Sequence, residues 1–135
     1  MPPGPARTAT GVTVLIARDP ALVRTVRLVA AAVARRASGD QDFVEEVRLA
    51  VGEACGLLVG GDASRAASTE PVEVSMRLED RLRVVVRASG AVACYDAPGS
   101  DIDGVEPWSL LRGLIDDFDI VQEHGATSLS MSWPL

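Results

Sequence analysis

At 135 residues, 47% of them hydrophobic, the chain is sized for one domain with a single core. It contains no lysine and no asparagine, so all thirteen basic residues are arginine, which excludes a Walker-type phosphate loop and Schiff-base chemistry. Two cysteines exclude a disulfide framework, and a zinc site or a Ser-His-Asp triad would rest wholly on His124, the single histidine, which reads as a solvated turn residue before Gly125.

Residues 1–9, with Pro2, Pro3 and Pro5 and no apolar periodicity, read as a disordered leader to a single domain over 10–135. Val12 to Ala17 is β-branched and apolar enough for a first strand, ended by Arg18 and Asp19. Asp19 can cap the helix that follows and Pro20 suits its first position, where no amide donor is needed. Leu22, Val23, Val26, Val29, Ala30 and Val33 form the apolar stripe of that helix, with Arg24, Arg27, Arg35 and Arg36 off it. Ser38-Gly39-Asp40 breaks it, and Asp40 or Asp42 can cap a second amphipathic helix over about 42–59, with Glu53 on the edge of its buried face and Cys55 packed inside. Gly60-Gly61-Asp62 ends this helix, and the small polar run to Pro71 is a loop.

Val72 to Leu78 and Leu82 to Val86 read as a hairpin joined by Glu79-Asp80-Arg81. A long loop is expected over 88–106, where Cys94 is a plain free thiol, followed by a third, short helix carrying Trp108, Leu110, Leu111, Leu114 and Ile115. Phe118 to Val121 and Ser128 to Trp133 alternate like antiparallel strands, with His124-Gly125-Ala126-Thr127 as their turn. The order β-α-α-β-β-α-β-β implies an α+β two-layer sandwich, a mainly antiparallel sheet covered on one face by helices.

No segment reaches the roughly 18 uninterrupted apolar residues of a membrane span, and the N-terminus lacks a signal-peptide pattern. The expected location is the cytoplasm, away from the membrane. The formal charge of −6 is uneven: residues 1–39 carry six arginines against Asp19, whereas residues 96–135 carry eight acids against Arg112. The acidic C-terminal third repels phosphate backbones, so a basic protein surface is a better partner than nucleic acid.

Four strings in order carry a family resemblance. Arg48-Leu49-Ala50-Val51-Gly52-Glu53-Ala54-Cys55 looks like the first nucleotide box of the RsbW-type anti-sigma factor serine kinases, a branch of the GHKL ATPase superfamily with the Bergerat, or histidine-kinase-like ATPase, fold. Leu114-Ile115-Asp116-Asp117-Phe118-Asp119-Ile120 is similar to its helix-to-strand passage. Val85-Val86-Arg87-Ala88-Ser89-Gly90 and the ending Gly125-Ala126-Thr127 support it. The resemblance implies a general base at Glu53, but the magnesium-ligating asparagine four residues on is Leu57, and leucine cannot ligate a hard cation. A position often histidine in the family is Gly61. The aspartate that accepts from the adenine amino group is replaced by Ala88, in Ala88-Ser89-Gly90. The glycine-rich lid aligns with Val105-Glu106-Pro107-Trp108, where proline removes an amide donor and Glu106 repels phosphate.

Some actinobacterial-type relatives show a comparable erosion, and the chain looks closest to them. Glu53 is then a relic, and Leu57, Ala88, Gly90 and Pro107 are eroded cofactor-binding positions. Neither ATP nor magnesium nor any other cofactor is expected. What the resemblance implies is an anti-sigma regulatory factor: a homodimer formed through its sheet that binds an RNA polymerase sigma factor and switches to an anti-anti-sigma protein of the STAS type. Arg24 falls where the family places a partner-contacting arginine, Arg27 lies one turn on, and Asp101, Asp103 and Glu106 form a second candidate contact surface. The alternative is an active kinase that uses magnesium and ATP to phosphorylate a serine of the anti-anti-sigma partner, with Asp96 or Asp101 replacing the lost contacts.

Overall fold

A computed structural model of the chain describes residues 10–60, 70–89, 115 and 117–135. Asp96, Asp101, Asp103, Glu106, Pro107, Gly61, Gly90, Cys94 and the expected third helix up to Leu114 lie outside the described residues. Strand β1 (Thr10–Ile16) leads through a 3₁₀ turn at Pro20–Leu22 into helix α1 (Val23–Ala37) and helix α2 (Gln41–Val59). Strands β2 (Val72–Leu78), β3 (Arg81–Ser89), β4 (Asp117–Glu123) and β5 (Ala126–Pro134) complete the described chain. No helix among the described residues is long and apolar enough to cross a membrane.

Both helix starts follow from side-chain caps. Asp19 accepts from the Ala21 amide at 3.0 Å with Pro20 beside it, and Asp40, rather than Asp42, caps α2 by accepting from the Asp42 amide at 3.0 Å. The five strands form one antiparallel sheet in the order β1-β2-β3-β5-β4. Alternation sends Ile16, Val72, Val74, Met76, Leu82, Val84, Val86, Leu129, Met131 and Trp133 to the inner face, where α1 and α2 cover them with Val26, Ala30, Val47, Val51, Ala54 and Leu58. The result is the expected two-layer α+β arrangement.

Two boundaries differ from expectation. The β4–β5 turn is only His124-Gly125, with φ of 55° and 73°, so Glu123 pairs Ala126 and Thr127 belongs to β5. Two successive positive φ values match the twist of the flanking strands, and at His124 the local tightness overrides the residue's preference. Strand β3 also runs on through Arg87, Ala88 and Ser89, because β5 supplies pairing partners along its whole length.

The sheet's other face carries no described helix. Register places three rows of side chains there: Gly11, Arg77, Arg83, Ser132 and Asp117; then Thr13, Ser75, Val85, Ser130 and Asp119; then Leu15, Glu73, Arg87, Ser128 and Val121. Leu15, Val85 and Val121 are exposed apolar residues in this otherwise small and polar surface. Depressions of 560 Å³ and 420 Å³ flank Val85. Arg81 pairs with Asp117 across β5, tying the first residues of β3 and β4.

Candidate functional site

Helix α2 places Glu53 and Leu57 one turn apart on the edge of its buried face, as their spacing requires. Both are half-buried. Leu57 packs against the core, so the position offers hydrocarbon where a magnesium ion needs oxygen. Among the described residues no group of three or more His, Cys, Asp or Glu side chains is placed to hold a metal ion.

The far end of the inner sheet face lies beyond Val86 and Leu129, where Ala88 of β3 stands directly opposite Thr127 of β5. Opposed residues of an antiparallel pair project to the same face, and both are buried, Ala88 at 1% and Thr127 at 0% exposure. The Thr127 hydroxyl has no hydrogen-bond partner among the described residues. A short carboxylate at position 88 would give it one; the alanine methyl cannot.

Arg18, two residues past the end of β1, closes the same end. It is only 6% exposed, its Nε donates to the Glu70 carbonyl at 3.0 Å, and one terminal nitrogen donates to the Ser89 carbonyl. The other terminal nitrogen, Nη1, is buried without a partner among the described residues. Burial pushes the guanidinium pKa down, and the charge of nearby Glu70 pulls it back up. Among the described residues this end of the sheet therefore presents a buried donor-only group and no buried carboxylate. Sequence reasoning treated Arg18 as a strand-ending charge and Thr127 as part of a turn; Arg18 lies in a bend past the end of β1, where strand alternation gives no signal.

On α1 the two candidate partner-contacting arginines separate. Arg24 is exposed, whereas Arg27 is half-buried and lies across Gly52 of α2. A Cβ at Gly52 would come within 2.9 Å of Arg27 Cγ and 3.1 Å of its Cδ, so the glycine is the slot that receives the arginine stem. Arg27 Nε is buried in this seam without a partner among the described residues. The exposed side of α1 also carries Leu28, and the helix contains no acidic residue.

Cys55 is fully buried in the same helix pair. Burial pushes its thiol pKa up to about 11, partly offset by the Arg27 charge, so the group is a packed neutral thiol and no nucleophile. The sign of its pH effect follows. The folded chain keeps the thiol proton while the unfolded chain releases it from about pH 8.5, so stability falls as pH rises. Chemical denaturation at pH 8.5 and pH 10 should show a loss of about 1 kcal/mol that Cys55→Ala abolishes; an equal loss in both proteins would remove Cys55 as its source.

A sequence profile of the histidine kinase-like ATPase domain matches residues 16–133. No curated protein matches the sequence. Among solved structures, the crystal structure of the RsbU and RsbW domains of Rv1364c from Mycobacterium tuberculosis superposes with a TM-score of 0.70 at 16% identity. The match covers 93% of this chain and 32% of that one, so this chain spans about a third of the other's length.

Proposed function

We propose a protein-binding rather than a phosphoryl-transferring role for this chain, which belongs to the histidine kinase-like ATPase domain family. In this reading it is an anti-sigma regulatory factor. It sequesters an RNA polymerase sigma factor in the cytoplasm and releases it when a STAS-type anti-anti-sigma protein takes its place. The resemblance puts the nucleotide base at the end of the sheet where Ala88 faces Thr127, and the Thr127 hydroxyl, without a partner among the described residues, is the observation that supports a loss of nucleotide chemistry. Leu57 packing into the core supports it. Titration calorimetry of the chain with magnesium-ATP should give no binding heat; saturable micromolar binding would return the reading to an active serine kinase.

The proposed contact surface is the exposed side of α1, with Arg24 and Leu28 at its centre. Arginine can grip a partner carboxylate through two parallel hydrogen bonds, and an exposed leucine beside it supplies apolar contact. Asp101, Asp103 and Glu106 remain proposed as a second surface, suited to the basic regions that a sigma factor turns toward DNA.

A homodimer through the sheet face that carries no described helix completes the proposal. Turning a second copy by 180° about an axis along β3 lays Leu15 near Val121 of the partner subunit, Val85 on its own counterpart and the Thr13 hydroxyl toward the partner's Asp119. The same axis sets Arg83 and Arg87 against their own counterparts, so the apolar contact at Val85 is flanked by like charges that must stay hydrated at the seam. Light scattering should give twice the 14.2 kDa chain mass, falling to one chain for Val85→Arg; a monomeric parent protein would end this part of the proposal.

A further inference from the structure

Among the described residues the sheet has two edges, β1 and β4, and they differ in kind. An edge strand offers a row of backbone N–H and C=O groups to another strand, and proteins guard such edges with charge, proline or a bulge. Strand β4 carries Asp117, Asp119 and Glu123. Strand β1 has no charge and no proline, and it pairs β2 without a bulge from Thr10 to Ile16.

The core is open along the same edge. Val74 and Met76 of β2 are 0% and 1% exposed, whereas Val14 and Val12, their partners on β1, are only half-buried. Helix α1 supplies the other wall. It packs over β2 while α2 packs over β3, so the side of α1 turned away from α2 overhangs β1. Arg27, against Gly52, marks the side that faces α2. Val29 lies about 160° around the helix from Arg27, and Thr25, Val29, Ala32 and Arg36 form one stripe at helical spacing. Val29 is half-buried against the core, and the other three are exposed. The short connection after Ile16 starts α1 at that end of β1. Both elements cover about 20 Å, so Arg36 reaches the Thr10 end.

We propose that the outer edge of β1 is a docking site for an extended segment of a partner protein, which adds to the sheet antiparallel to β1 and beneath the overhang of α1. Backbone pairing supplies the affinity, and alternate apolar side chains of the segment extend the core over Val12, Val14 and Val29. Arg36 is the one charge on this stripe and β1 has none. The segment that fits is therefore uncharged along its length and acidic at its C-terminal end, where it meets the guanidinium. Arg24 and Leu28 lie outside the stripe, so the site stands whether or not they meet a sigma factor.

The test is a nuclear magnetic resonance titration of the isotope-labelled full chain with a synthetic peptide of alternating valine and threonine, as long as β1 and ending in two aspartates. In the free chain alternate amides of β1 should exchange rapidly with solvent. The peptide should protect them and shift resonances from Thr10 to Ile16 and at Thr25, Val29 and Ala32. Slow exchange of every β1 amide in the free chain would mean that the chain covers its own edge, which overturns the proposal. N-methylation of the peptide amides that face β1 should abolish binding, whereas methylation of the intervening ones should leave it; equal effects overturn edge pairing. A peptide ending in two lysines should bind roughly fivefold more weakly, an exposed ion pair being exchanged for a repulsion. Arg36→Gln should erase that difference with the fold intact. Absence of binding by the aspartate peptide, or a preference that Arg36→Gln leaves unchanged, overturns the proposal.

Discussion

Gly52→Ala should destabilise the chain by roughly 1–3 kcal/mol, although alanine is the better helix former by about 1 kcal/mol. The reason is the seam between α1 and α2. The added Cβ would press on Arg27 at Nε, Cγ and Cδ, the middle of the side chain, which cannot swing clear as the guanidinium tip alone could. Arg27 must leave the slot, or the helices must part over the core residues Val26, Ala30, Val51 and Ala54. A loss of this size lowers the melting temperature by roughly 4–12 °C in a domain of this length. Shortening the intruding side chain should rescue it: Gly52→Ala with Arg27→Ala should melt above Gly52→Ala alone. If the two changes simply add, the slot is not what the glycine provides.

The second large effect is on binding. Arg24→Glu should weaken the proposed sigma-factor complex by at least thirtyfold, since reversing one member of a desolvated charge pair costs about 2–5 kcal/mol. Its own stability should hold. Arg24 is exposed and lies in the first turn of α1, where a negative charge agrees with the helix dipole. Leu28→Ala should give a smaller loss through apolar contact alone. Unchanged affinity in Arg24→Glu would remove α1 from the interface, and a lowered melting temperature would recast Arg24 as part of the fold.

Much of this architecture was legible in the sequence because its periodicities are clean. The inward set Val72, Val74, Met76 and the exposed Arg24, Arg35 and Arg36 of α1 are visible without coordinates, whereas Arg27, read as lying off the stripe, packs half-buried against Gly52. The departure at Leu57 was legible too, since a helix position four residues from Glu53 has only one face to occupy. What remained hidden depends on partners distant in sequence. Nothing local announces that Arg18 will find the carbonyls of Glu70 and Ser89, more than fifty residues away, so it read as a charge that stops a strand. The small residues of Gly125-Ala126-Thr127 look like a turn, and only pairing with Ala88 and Ser89 draws Ala126 and Thr127 into β5. Gly52 gave no sign of being a slot because the side chain that fills it belongs to another helix. These errors matter, since Arg18 and Thr127 are the buried polar groups at the Ala88 end of the inner sheet face and Gly52 decides which arginine of α1 is free to meet a partner.

The central claim is that the chain has kept the ATPase scaffold for protein binding and no longer needs the nucleotide. It is tested most directly by measuring the affinity of the purified chain for its sigma factor with and without magnesium-ATP. The two affinities should agree within about twofold, because a nucleotide that does not bind cannot shift the equilibrium. A complex that forms only with magnesium-ATP, or tightens tenfold in its presence, would contradict the account.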